Sequence, residues 1–132
     1  MKRYLTTLVA VAFLGCAGHA LAQQKSQPNV LTDAQLKTLL SNGISVRVTG
    51  VDRANSAPRS GTATYQKDGT ARAKLGPASP DLIGSWKIDG NKFCTNYTSA
   101  GSGCFNVQKT GDKTYKLIPL DGLLEENWEV LK

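Results

Sequence analysis

Between Leu82 and Tyr115 the sequence repeats one unit, a short run of alternating apolar and polar residues closed by a glycine-bearing turn. Few folds other than an antiparallel sheet accommodate that repeat. In residues 82–88, Trp86 and Ile88 share one side and Ser85 and Lys87 the other, while Gly84 permits a bulge or a close backbone approach. Asp89-Gly90 turns the chain into residues 92–98, a Ser/Gly-rich loop is expected over residues 99–103, and residues 104–109 return from it. Gly111-Asp112 marks the next turn and residues 114–118 the next strand. A last strand is expected around residues 128–131, after Asp121-Gly122, with Trp128 and Val130 on one face.

Upstream, the period is first helical and then alternating. Thr32 and Gln35 form a capping box and Leu31 with Leu36 a hydrophobic staple. Leu36, Leu39 and Leu40 supply the apolar face of a short helix over residues 33–41, which Gly43 ends by taking a left-handed conformation. Ile44, Val46 and Val48 then alternate with polar residues, the pattern of a half-buried strand. Residues 50–60, with Pro58 and two arginines, read as a turn-rich connection and the least regular part of the chain. Lys67-Asp68-Gly69 joins two arms of a hairpin, residues 62–66 and 70–75. In its second arm Ala71, Ala73 and Leu75 alternate with Arg72 and Lys74, an apolar side so small that the hairpin belongs at an edge or under a close neighbour. The fold class that follows is all-β: a small antiparallel barrel or sandwich of about seven or eight strands with one short N-terminal α-helix.

The first 22 residues read as an export signal. Lys2 and Arg3 precede an apolar stretch too short to span a bilayer, and Ala20-Leu21-Ala22 has the small-x-small pattern cut by signal peptidase, which predicts cleavage after Ala22. Leu14-Gly15-Cys16 offers an alternative, a lipoprotein anchored through an acylated Cys16. Residues 23–30, polar and interrupted by Pro28, form a disordered leader, and residues 31–132 a single domain. Removing Lys2 and Arg3 from the 16 basic residues leaves 14 against 10 acidic ones, a net charge of +4 in place of +6. That excess is scattered, which argues against a nucleic-acid partner and leaves room for attraction to anionic envelope surfaces. Loss of Cys16 leaves Cys94 and Cys104, and an even pair in an exported chain reads as a disulfide rather than two free thiols. The localisation expected is periplasmic or secreted, with no transmembrane helix in the mature chain.

Composition removes several chemistries. The only histidine is His19 and the only methionine Met1, both in the signal, so histidine metal sites, serine–histidine triads and haem ligation by either residue are excluded from the mature chain. A carboxylate-pair hydrolase needs two converging acids. Asp68, Asp89, Asp112 and Asp121 each adjoin a glycine and read as turn residues instead. Glu125, Glu126 and Glu129 form an acidic run beside Trp128 that lacks the close, regular spacing of a calcium loop and reads as a solvated strand entry. No enzyme, cofactor or metal is expected, and the chain is expected to be a monomer.

Gly84-Ser85-Trp86 matches the G-x-W motif of lipocalins, which implies a barrel able to carry a small apolar ligand near Trp86. In lipocalins the motif opens the first strand, whereas here some 60 mature residues precede it. Over most of the mature chain the order L-T-x-x-x-L from Leu31, Y-x-x-D-G-T from Tyr65, G-x-W-x-I from Gly84, two cysteines, then Gly111-Asp112 and Tyr115 resembles a group of small exported proteobacterial proteins of unknown function. The resemblance implies export, a disulfide and a β-rich fold. A weaker similarity is to periplasmic lysozyme inhibitors, which present a Ser/Gly-rich loop to an enzyme cleft, as residues 99–103 would do here. The function expected is therefore non-catalytic binding or inhibition of an envelope protein or anionic glycan. Two surfaces are candidates: the loop with Ser99, Ser102 and nearby Tyr97, and a cationic stripe of Arg72, Lys74 and Lys87 on the outer face of neighbouring strands.

Overall fold

The computed structural model describes residues 29–52, 56–120 and 124–132. The expected cleavage site, Cys16, most of the expected leader and the Asp121-Gly122 turn lie outside the described residues. Helix α1 (Asp33–Leu40) is followed by eight strands: β1 (Ile44–Asp52), β2 (Ala57–Tyr65), β3 (Thr70–Lys74), β4 (Leu82–Asp89), β5 (Lys92–Tyr97), β6 (Gly101–Lys109), β7 (Thr114–Pro119) and β8 (Leu124–Val130). Each strand pairs antiparallel with its chain neighbour, and β8 returns to β1, so the sheet closes into a barrel. Of the two architectures the alternation permits, the closed one removes exposed strand edges.

Small inward residues let so short a sheet curve shut. Ala63, Ala71 and Ala73 are buried on the inner side of β2 and β3. At Gly61 and Gly84 the backbone itself meets the next strand, since an added Cβ would run into the carbonyl oxygens of Lys74 and Asn96 respectively. These are the tight corners that a small, strongly coiled barrel needs.

Three strand boundaries correct the sequence reading. Residues 50–60 are mostly strand: β1 pairs with β2 from Ile44 opposite Tyr65 to Asp52 opposite Ala57. Pro58 is tolerated because β3 pairs with β2 only from Thr62 to Tyr65, so beyond Thr62 no ladder exists on that side for a proline to break. The loop expected over residues 99–103 shrinks to residues 98–100, for Gly101, Ser102 and Gly103 pair with Tyr97, Asn96 and Thr95. Backbone pairing next to the disulfide outweighs the poor strand propensity of glycine and serine. The final strand begins at Leu124, four residues earlier than expected, and runs alongside both β7 and β1.

Helix α1 closes one end of the barrel. The Thr32 hydroxyl and Gln35 side chain form the expected reciprocal cap, and the Asp33 backbone N–H donates to Asn91 Oδ1 at 2.8 Å, tying the helix to the β4–β5 turn. Its far end enters β1 through Gly43, whose φ is +73°. Leu36 and Leu40 are thereby buried in the same cluster as Ile44, Val46 and Val107. Ahead of the helix, Leu31 N–H donates to the Val107 carbonyl at 2.8 Å and Lys109 N–H to that of Asn29 at 2.9 Å. The last two residues of the expected leader, Asn29 and Val30, are thus held along β6.

Aromatic rings fill the middle of the barrel. Phe93 meets Tyr65 and Trp128 edge-on, with centroids 5.0 and 5.1 Å away, and Tyr65 lies tilted against Trp128 at 5.0 Å. Trp86 completes the group 6.1 Å from Phe93 and donates its indole N–H to the Gln66 carbonyl at 2.8 Å. On the opposite side of the same hairpin, Cys94 stands directly across from Cys104 and is disulfide-bonded to it.

Candidate functional site

Strand alternation sorts the side chains of interest into two groups, one outside the barrel and one within it. On the outside, the register sets Thr70 opposite Ser85, Arg72 opposite Ile83, Lys87 opposite Cys94, Ser85 opposite Asn96 and Asn96 opposite Ser102. Ser85, Lys87, Asn96 and Ser102 line a groove of about 460 Å³ along β4, β5 and β6, with the disulfide in its wall. Beside it, Thr62, Thr64, Arg72, Lys74 and Ile83 border a smaller depression of about 160 Å³.

The charges on this face are unevenly matched. Lys74 lies 3.8 Å from Asp81, whereas Arg72 and Lys87 form no ion pair among the described residues. The surface therefore combines hydroxyl and amide groups with two unneutralised cations, and all of them stand on paired strands. It can donate hydrogen bonds to an oxygen-rich, negatively charged ligand without first ordering a loop.

The six binding candidates read from the sequence do not form one site. Arg72, Lys74, Lys87 and Ser102 share the outer face of β3–β6. Ser99 is exposed at the β5–β6 turn and is not among the residues of either depression. Tyr97 departs from the set, because its place in β5 turns the ring inward, where its hydroxyl donates to Tyr65 Oη at 3.5 Å. The acidic run also separates by alternation. Glu129 pairs outward with Arg47 at 2.7 Å and Glu125 with Lys116 at 2.7 Å, while Glu126 shares the inner side with Trp128. Among the described residues no group of three or more His, Cys, Asp or Glu side chains is placed to hold a metal ion.

The inner group is the part sequence reasoning missed. The Trp128 indole N–H donates to Glu126 Oε2 at 3.3 Å, and burial pushes the Glu126 carboxyl above its ordinary range, opposed by that hydrogen bond and by the positive charge of Arg59. The hydroxyl of Tyr65 is held well above pH 10 by burial, with Tyr97 and the Glu126 charge adding to the effect. Burial raises Tyr97 as well, and its hydrogen bond with Tyr65 works in the other direction. One signal was available: Glu126 lies two residues before Trp128, so a strand that buries one must turn the other inward.

Around Trp86, which reads from the sequence as core packing with a carrier cavity as the alternative, the rings of Phe93, Tyr65 and Trp128 are in contact with one another. Asp68 behaves as the turn residue it was read to be, accepting the Thr70 backbone N–H at 2.9 Å, which lowers its pKa. Compared with known protein families, curated proteins and solved structures, the chain matches none.

Proposed function

We propose that this chain is an exported, non-catalytic binding module that presents the outer face of β3–β6 to an anionic glycan of the bacterial envelope. One observation carries the reading: Arg72 and Lys87, without ion-pair partners among the described residues, flank polar depressions lined by Ser85, Asn96, Ser102 and Thr64. Such a surface offers cations for carboxylate or sulfate groups and neutral donors for sugar hydroxyls. Its rigidity limits the entropy lost on binding. Export is supported by the N-terminal signal pattern and is compatible with the disulfide. No helix among the described residues is long and apolar enough to cross a membrane.

The test is affinity electrophoresis and calorimetry of the mature protein against oligogalacturonate and dextran sulfate, with neutral dextran as the control. The acidic polymers should bind, more weakly as salt rises, and Arg72→Glu with Lys87→Glu should abolish retention while the melting profile is kept. Ser102→Glu, which puts bulk and negative charge into the groove, should have the same effect. Equal retention of wild type and charge-reversed protein would exclude this face as the binding surface.

A further inference from the structure

The end of the barrel opposite α1 holds a second candidate site. There β2 stands taller than its neighbour: residues 57–61 pair with β1, whereas β3 stops at Lys74, opposite Thr62. The step leaves a notch above β3 that the connection into β4 only partly covers, and a cleft of about 560 Å³ remains. Its lining is mixed: Pro58, Leu75, Pro77, Pro80 and Leu82 supply apolar surface, and Ser60 and Ser79 polar surface. Arg59 supplies the one charged side chain among its described lining residues.

The cleft is preformed. Two prolines restrict the connecting segment, and Ser79 fastens it from within, its hydroxyl donating to the Leu75 carbonyl at 2.7 Å and its N–H to that of Gly76 at 3.4 Å. Arg59 is an exposed side chain of the lining. Gly50 stands between Arg59 on β2 and Glu126 on β8 in the register, and the Arg59 charge acts on the buried Glu126 carboxyl. A preformed cleft of this volume at one end of a barrel, with leucines and prolines on its walls and a cation in its lining, has the proportions of a small-ligand site.

We propose that this cleft binds a small anionic amphiphile, its apolar body lying against Leu75, Leu82 and the prolines and its carboxylate or sulfonate head on the Arg59 guanidinium. The site is separate from the outer face of β3–β6 and does not depend on that surface binding a glycan. Trp86 is not among its lining residues.

The probe is 8-anilinonaphthalene-1-sulfonate, titrated into the folded mature protein and followed by fluorescence and by the amide resonances of Leu75, Leu82 and Ala100. Binding should saturate at one site, be displaced by dodecanoate and be indifferent to dodecyltrimethylammonium. Arg59→Gln should weaken it by about tenfold or more, the usual consequence of losing a charge-assisted hydrogen bond. Ala100→Trp, at an exposed position on the rim, should fill the cleft and block the probe without touching the core. Non-saturable binding, equal displacement by the cationic amphiphile, or unchanged affinity in Arg59→Gln and Ala100→Trp would overturn the proposal.

Discussion

Inside the barrel the indole N–H of Trp128 points at the carboxylate of Glu126, two residues away on the same strand, at 3.3 Å. A carboxylate in that position is partly stabilised by the indole and by Arg59, yet burial outweighs both and favours the protonated form. Because the folded pKa is raised above the unfolded one, the native state binds the extra proton. Stability should therefore fall as pH rises from the unfolded value, about 4.5, through the folded one. Glu126→Gln keeps the shape and removes the charge, so it should raise Tm at pH 7, by about 4–8 °C for each kcal/mol gained, and flatten the pH dependence. Calorimetric scans of both proteins between pH 4 and about pH 8 check this, and a lower Tm for the amide would contradict it.

Tyr65 and Tyr97 should resist ionisation. Both hydroxyls are pushed upward chiefly by burial, Tyr65 further than Tyr97. In a titration followed by phenolate absorbance, Tyr65→Phe should remove the last step seen before alkaline unfolding. Since the unfolded chain ionises its tyrosines at about pH 10, stability should decline above that value.

Cys94 and Cys104 close a loop that backbone pairing already defines, for Phe93 and Phe105 and three further pairs lie opposite one another on the same two strands. The bridge should act mainly on the unfolded chain. Replacing both cysteines by serine should leave the folded spectrum unchanged and lower stability by about 2.5–3 kcal/mol, which corresponds to a fall of about 10–20 °C in Tm. Urea titration measures the difference directly. A Tm equal to that of the oxidised protein would show that the hairpin is as closed in the unfolded state without the bridge.

Two glycines on the strands flanking β5 should respond differently to alanine. At Gly84 a methyl group meets the Asn96 carbonyl and the Tyr97 Cα at 2.7 Å, so β4 and β5 must part. Gly84→Ala should cost several kcal/mol or prevent folding. At Gly103 the nearest atoms are those of the Phe105 ring at 3.9 Å, an ordinary contact, and Gly103→Ala should be neutral to within about 0.5 kcal/mol. Soluble yield and thermal melts of the pair decide the matter.

Much of this molecule was legible before its structure. The capping box at Thr32, the left-handed Gly43, the hairpin turn at Asp68-Gly69, the close approach at Gly84 and the Cys94–Cys104 pair are all local features. Each depends on residues near in sequence or on a period of two, and the structure has all five. The regions misread were those where a distant neighbour overrides local propensity. Pro58 and its flanking residues look like a loop until β1 is set alongside them, and Gly101, Ser102 and Gly103 become strand only because β5 supplies partners.

By itself the sequence determined that the chain would make short antiparallel strands and one amphipathic helix, because periodicity states which face of each element must be hidden from water. It also placed Arg72 and Lys74 on the outer side of their strand. Only the tertiary structure decided that the sheet closes, that Tyr97 and Glu126 turn into the barrel, and that Arg59 lines a cleft at the end opposite α1. Closure depends on how many strands coil and at what register, and register brings together residues as distant as Gly50, Arg59 and Glu126, which no local pattern connects.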